Sequence, residues 1–202
     1  MHHPICTTCG TQFASATPVP DACPVCEDER QYVGWGGQSW TTHEAMARTH
    51  RLDLDDDDGV LGITHAPAFA IDQRAMLLPT DAGNILWECL SVVTPDAMET
   101  LKARGGVDLI AISHPHFHAS MIEWSDALGG VPILLHAADR QWVHRSSPRV
   151  EFWSGDVRAM RERLARFEFE DVFGFSRGRN ILGGGRAAVD RSFERWLSAV
   201  AA

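Results

Sequence analysis

The chain has 202 residues, 45% of them apolar, which suits one medium domain or one domain plus a small module. Its formal net charge is −9 with neutral histidine, it carries one lysine, Lys102, and its arginines are dispersed, so a polyphosphate backbone is excluded as its main partner. No apolar run reaches the roughly 20 residues of a bilayer span, and residues 1–6 lack the basic-then-apolar order of a signal peptide. The expectation is therefore a cytoplasmic protein that does not contact membrane.

The first predicted element is a cysteine module over residues 1–33. Cys6-Thr7-Thr8-Cys9 and Cys23-Pro24-Val25-Cys26 are two Cys-x-x-Cys pairs separated by thirteen residues. Each such turn curls the backbone so that two thiolates face one point, and two turns together give four soft ligands in a tetrahedron. Closely spaced pairs without a secretion signal favour metal over disulfides. Zinc is the expected ion, with iron an alternative for the same ligands, and Phe13, Val19, Tyr32 and Val33 are candidates to cover it. A closed four-sulfur site leaves no position for a substrate, so its predicted role is structural. The fifth cysteine, Cys89, stands alone in an apolar stretch and is expected in the core.

Residues 34–58 read as an acidic linker. Between 27 and 58 there are nine Asp or Glu against three Arg, and Thr42 caps a predicted short helix over 43–50. The run Asp53 to Gly59 fails as a calcium loop: with Gly59 sixth, Leu54 falls first and His65 falls where a bidentate Glu belongs. Mutual repulsion instead predicts a hydrated connector.

From Val60 the pattern turns to short apolar runs at 61–64, 69–71, 74–78 and 84–87, with a hairpin signal at 80–84. Thr94-Pro95-Asp96 predicts a helix start. A strand over 107–112, a helix over 120–128, a strand over 131–135 and a helical stretch near 139–145 follow, giving α/β order with partly parallel pairing. A helix near 157–166, a short strand over 172–175, a glycine loop and a helix over 186–200 complete the chain. Trp87, Trp153 and Trp196 sit in apolar contexts and are expected in the core, while His144 reads as a surface residue.

The strand over 107–112 runs into Ser113-His114-Pro115-His116-Phe117-His118. In an extended segment, side chains two residues apart share a side, so His114, His116 and His118 are predicted to converge at the carboxyl end of a strand, where α/β sheets hold ligands. Neutral imidazole is the commonest catalytic metal ligand.

These residues, the preceding β-meander and the strand Pro132-Ile133-Leu134-Leu135-His136 resemble the metallo-β-lactamase fold, a superfamily of metal-dependent hydrolases. The cysteine module resembles a rubredoxin-like zinc ribbon. The likeness implies an α/β fold, a metallo-β-lactamase-like αββα sandwich over 59–202, incomplete in its second half and preceded by the zinc ribbon. The family motif is His-x-His-x-Asp-His. His114 and His116 match its first two positions, His118 stands in place of the Asp, and Ala119 in place of the last His. Ser154-Gly155-Asp156 resembles the segment of the bridging Asp, so the resemblance implies Asp156 as a ligand. The implied cofactors are a structural zinc on Cys6, Cys9, Cys23 and Cys26, with room for a second zinc or iron at the histidines. The implied function is a weak or vestigial hydrolase of a small-molecule substrate that the sequence does not identify. The alternative is a non-catalytic zinc-binding scaffold or interaction module. An incomplete sheet would favour a homodimer.

Overall fold

A computed structural model describes residues 3–15, 18–28, 33 and 35–200, without the side chain of Val200. It divides into two compact units, Met1–Trp153 and Ser154–Ala202.

The first unit is α/β. Its order is β1 (Pro4–Cys6), β2 (Trp40–Thr42), α1 (His43–Thr49), β3 (Arg51–Asp57), β4 (Val60–Ala66), β5 (Arg74–Thr80), β6 (Gly83–Trp87), α2 (Pro95–Ala103), β7 (Leu109–Ala111), α3 (Met121–Ala127), β8 (Ile133–His136) and β9 (Val150–Trp153). β1 and β2 make a small antiparallel sheet, and β3 to β9 make one mixed sheet in sequence order. β3 to β6 form an antiparallel meander, whereas β6, β7, β8 and β9 run parallel. A parallel neighbour demands a crossover. α2 supplies it between β6 and β7, α3 between β7 and β8, and a 3₁₀ segment, Ala137–Trp142, between β8 and β9. Meander and crossover strands thus share one sheet, which brings the ends of β6, β7 and β8 side by side.

The caps read from sequence are in place. Thr42 accepts from Ala45 N at 3.2 Å at the start of α1. Thr94 accepts from Ala97 N at 3.4 Å with Pro95 in the first turn of α2. Each satisfies an amide that lacks an intrahelical acceptor.

Three expectations are corrected. The acidic stretch is not a hydrated connector: β2, α1 and β3 all lie within 34–58, and β3 pairs along its whole length with β4, from Arg51↔Ala66 to Asp57↔Val60. Asp is a poor strand former, but Leu52 packs into the core and β3 is the first strand of the sheet, where charges discourage pairing with another chain. Asp57 also pairs with the buried Arg74 at 2.7 Å, and Gly62 makes room for that guanidinium, since a Cβ there would lie 2.9 Å from Arg74 Nε. Second, the ribbon does not end at residue 33, because β1 pairs with β2 through Cys6↔Trp40. Third, residues 59–202 are not one unit.

The expected strand at 69–71 is a turn in which Ala70 and Asp72 have φ of 52° and 57°. The principal core spans the sheet, α2 and α3, and includes Cys89. Its fully buried tryptophan is Trp124, whose Nε1 donates to Leu90 O at 2.9 Å, not Trp87, Trp153 or Trp196.

The second unit contains α4 (Val157–Leu164), α5 (Gly185–Val200) and a single bridge, Val172↔Ile181, in place of the expected strand. Arg186 ties the two helices by donating to Leu164 O and Phe167 O. Among the described residues the buried apolar side chains all belong to the first unit, and Phe167, Phe175, Leu182 and Trp196 are exposed. Among the described residues no helix is long and apolar enough to cross a membrane.

Candidate metal centre and histidine loop

Cys6 ends β1. Gly10 N donates back to Cys6 O at 2.9 Å and closes the first turn, and Cys26 N donates to Cys23 O at 2.8 Å in the second. Gly10 is required here: its φ is +82°, and a Cβ would lie 2.9 Å from Gln73 Nε2, Gln73 Oε1 and Ser91 Oγ. The four sulfurs lie within 4.8 Å of one another and all four cysteines are buried. Cys6 Sγ is 3.6 Å from Cys26 Sγ, and Cys9 Sγ is 3.7 Å from Cys23 Sγ. Sulfurs at the vertices of a tetrahedron with zinc–sulfur bonds of about 2.3 Å stand about 3.8 Å apart. None of the cysteines is in a disulfide. The residues therefore fit a tetrahedral metal ion.

The electrostatics agree. Hydrogen bonds from Cys23, Cys26 and Cys9 hold the Cys6 thiol well below its usual range, while hydrogen bonding to Cys23 and Cys6 pushes Cys26 up. Four thiolates this close cannot all ionise unless a cation compensates them. Gln38 Nε2 also donates to Cys6 Sγ at 3.2 Å. Phe13, Val25, Val33, Trp40 and Trp142 cover the cluster. Val19, expected to cover it, is exposed, and Tyr32 lies outside the described residues. His144, expected on the surface, stacks on Phe13 at 4.4 Å with its rings inclined by 14°. Trp142 and His144 lie some hundred residues from the cysteines, and no local pattern marks them as cover.

The histidines behave differently. His114 is extended, but Pro115–Phe117 is a 3₁₀ turn and His118 is helical in backbone conformation. Proline fixes φ and favours a helical first turn, so the expected alternation breaks at Pro115. His114 and His116 still meet: their Nδ1 atoms are 2.8 Å apart and their rings stack at 4.7 Å. His118 instead donates from Nδ1 to Trp142 O at 3.2 Å. Burial pushes both His116 and His118 down to about 4, with the neighbouring His114 adding to the effect on His116, so both rings are neutral at physiological pH. Their Nε2 atoms are buried without a hydrogen-bond partner. Among the described residues, only the four cysteines form a group of three or more side chains with ligand atoms this close. Asp156 belongs to the second unit, where it caps α4 by accepting from Ala159 N at 2.8 Å.

Two acids not singled out from sequence flank the loop. Glu88 follows β6 with φ of +68°, is 1% exposed, and accepts from Ser113 N at 3.2 Å and from Ser113 Oγ. Burial pushes its carboxyl up to about 7. A non-glycine residue held at positive φ stores strain, a feature of functional sites. Asp139, in the 3₁₀ segment after β8, is raised by burial, while the charges of His136 and His114 act on it in the opposite sense. His136 accepts from Ala138 N at 3.2 Å and sets its ring edge-on to Trp153. The carboxyl ends of β6, β7 and β8 thus gather Glu88, His114, His116 and Asp139, the position where parallel sheets place ligands. For Glu88 no signal was legible, because a lone Glu between Trp87 and Cys89 looks like any strand-end residue.

No family model matches this chain, and no solved structure matches it. The chain is similar to the Bacillus subtilis (strain 168) protein YmaE, described as uncharacterized, with 37% identity over 167 residues covering 81% of this chain. That alignment takes in 61% of YmaE, so the chain spans about three fifths of the length of the relative it matches.

Proposed function

We propose that the protein is a zinc-stabilised scaffold of metallo-β-lactamase type, with one of that fold's two sheets, whose histidine loop retains a weak single-ion hydrolase site. The observation that carries the reading is the pair of imidazole nitrogens of His114 and His116, 2.8 Å apart at the end of a parallel strand. The two face each other at that spacing, both nitrogens can turn to one cation, and Asp139 lies close enough to His114 to add negative charge. A zinc ion held there would lower the pKa of a bound water towards neutrality and polarise a carbonyl or phosphoryl group. Glu88 anchors Ser113, and through it the first residue of the loop. Its carboxyl, poised near 7, can hold or release a proton near neutral pH. The substrate would be a small molecule reaching the ends of β6 to β8.

Zinc titration of the purified chain tests the reading. The expected result is one tightly held ion lost in C6S/C9S, and a second, bound only at excess zinc, lost in H114A/H116A. Hydrolysis of an activated ester or phosphodiester should follow the second ion. A single ion that disappears with the cysteines overturns the hydrolase reading and leaves a non-catalytic scaffold. That second reading is favoured by His118, which turns to Trp142 O rather than to its two neighbours.

A further inference from the structure

The cysteine ribbon and the histidine loop are joined by buried polar side chains. Gln73, fully buried in the turn before β5, donates from one amide nitrogen to Cys9 O at 3.1 Å and to His116 O. Thr11, two residues after Cys9, places its hydroxyl 3.3 Å from Cys9 Sγ and donates to Pro115 O at 3.4 Å. Ser91 donates to Gly10 O at 3.1 Å, while Ser120, at the far end of the loop, donates to Ser91 O at 2.9 Å. Gln12 reaches Glu123 Oε1 at 3.1 Å and is held by Arg145. The loop therefore meets the segment of the first cysteine turn directly at Pro115, through Thr11, and indirectly at His116 and Ser120, through Gln73 and Ser91.

Apolar packing makes part of this connection, through Ile5 of β1, which is buried in the main core with Phe117 and Ala119 of the loop. The cluster around the cysteines is separate from the cluster of the main sheet. Directed hydrogen bonds between buried groups hold only when their partners stand in one arrangement, and each is unfavourable when a partner moves away. The carbonyls of Cys9 and Gly10 and the hydroxyl of Thr11 occupy that arrangement because the turn carrying them is curled around the four sulfurs. A metal ion in such a turn supplies the free energy that keeps it curled.

We propose that the ion in the four-sulfur site positions the histidine loop, with Gln73 as the principal strut, so that occupancy of the cysteine site decides whether His114 and His116 stand together. This builds on the reading of that pair as a metal site. It assigns the ribbon a regulatory part in it: loss of zinc from the cysteines would disable the histidine pair without touching an imidazole. Gln73 is a positioning residue here, since it meets the loop only through the carbonyl of His116.

Hydrogen–deuterium exchange on the full chain loaded with one equivalent of zinc tests the coupling without any activity. Q73M keeps the volume and removes the donor. It should retain one zinc while amides of residues 116–120 exchange at least tenfold faster and those of β4 to β6 stay protected. T11V, which severs the link to Pro115 and the contact with Cys9 Sγ, should retain one zinc and show the same pattern at smaller amplitude, and it decides the matter if Q73M does not fold. Chelating the zinc from wild type should speed exchange in 113–120 and leave β4 to β6 protected. Wild-type exchange in the loop of both folded variants, or of T11V alone where Q73M does not fold, overturns the proposal, as does unchanged exchange in the chelated protein. Loss of protection throughout the sheet on chelation also overturns it, because the ion would then hold the whole unit rather than the loop. The titration above separates the two readings. Faster loop exchange with no second ion sinks the hydrolase reading alone, while a second ion with unchanged exchange sinks the coupling alone.

Discussion

The cysteine turns and the histidine loop each offer closely spaced metal-ligating side chains, yet only one of them closes around a point. The four sulfurs converge because each Cys-x-x-Cys turn fixes its own geometry locally, with the Gly10-to-Cys6 and Cys26-to-Cys23 backbone bonds as its clasps. Bringing two such turns together needs only one short connection. The histidines depend on a longer chain of conditions: a strand end, a turn whose shape Pro115 dictates, and a neighbour, Trp142, that draws His118 away. Convergence that rests on local backbone geometry survives almost any surroundings. Convergence that rests on alternation fails at the first residue that leaves the extended conformation.

The largest expected effect that tests this contrast is removal of the sulfur site. C6S/C9S should eliminate tightly bound zinc and, with it, on the order of 10 kcal/mol of metal-linked stability of the cysteine ribbon. Because the main sheet keeps its own core, differential scanning calorimetry should show its cooperative transition retained at a clearly lower temperature. A melting temperature within a few degrees of wild type would mean the ribbon does not need its ion. H114A/H116A, by contrast, should leave the tight zinc and the main transition in place.

The next effect concerns Glu88. Its carboxyl is raised in the fold from 4.5 to about 7, so the native state binds the proton more tightly than the unfolded chain. Its contribution to stability is therefore fully present below about 4.5 and is lost as pH rises through about 7, amounting to at most about 3 kcal/mol. E88Q keeps an acceptor for Ser113 and removes the ionisation. Urea unfolding should show E88Q gaining on wild type between pH 5 and pH 8. Parallel pH profiles would contradict the raised, buried carboxyl.

G10A should cost about 1–3 kcal/mol for its left-handed backbone alone. The added Cβ also meets Gln73 and Ser91 at 2.9 Å, so loop exchange should rise along with the loss of stability. A variant as stable as wild type would show that the cysteine turn and Gln73 are not in close contact. The smallest effect belongs to D156A, which removes the cap of α4 and should cost about 1 kcal/mol. Its zinc content should equal wild type in direct metal analysis, and a lost ion would instead make Asp156 a ligand.

Much of the fold was legible from the chain alone. Thr42, Thr94 and Pro95 marked helix starts, and Asp81 and Gly83 marked a hairpin, because capping and turn chemistry act within a few residues. β3 was hidden by its aspartates, whose charge signals solvent while pairing with β4 decides the conformation. Val60–Ala66 and Arg74–Thr80 were plain, but nothing local showed that Gln73, next to them, would bridge two distant loops. Trp124, not the three tryptophans in more apolar contexts, fills the core, because burial follows from which helix face meets the sheet.

By itself the sequence determined the four-cysteine cluster, the helix starts at Thr42 and Thr94 and the hairpin at Asp81 and Gly83, since each arises from contacts spanning a handful of residues. Only the tertiary structure decided that the ribbon and the loop share buried hydrogen bonds, that Glu88 is buried beneath Ser113 and that His118 belongs to Trp142. Those outcomes depend on where strands far apart in the chain end relative to one another, and that is set by how the sheet and its crossovers close the core.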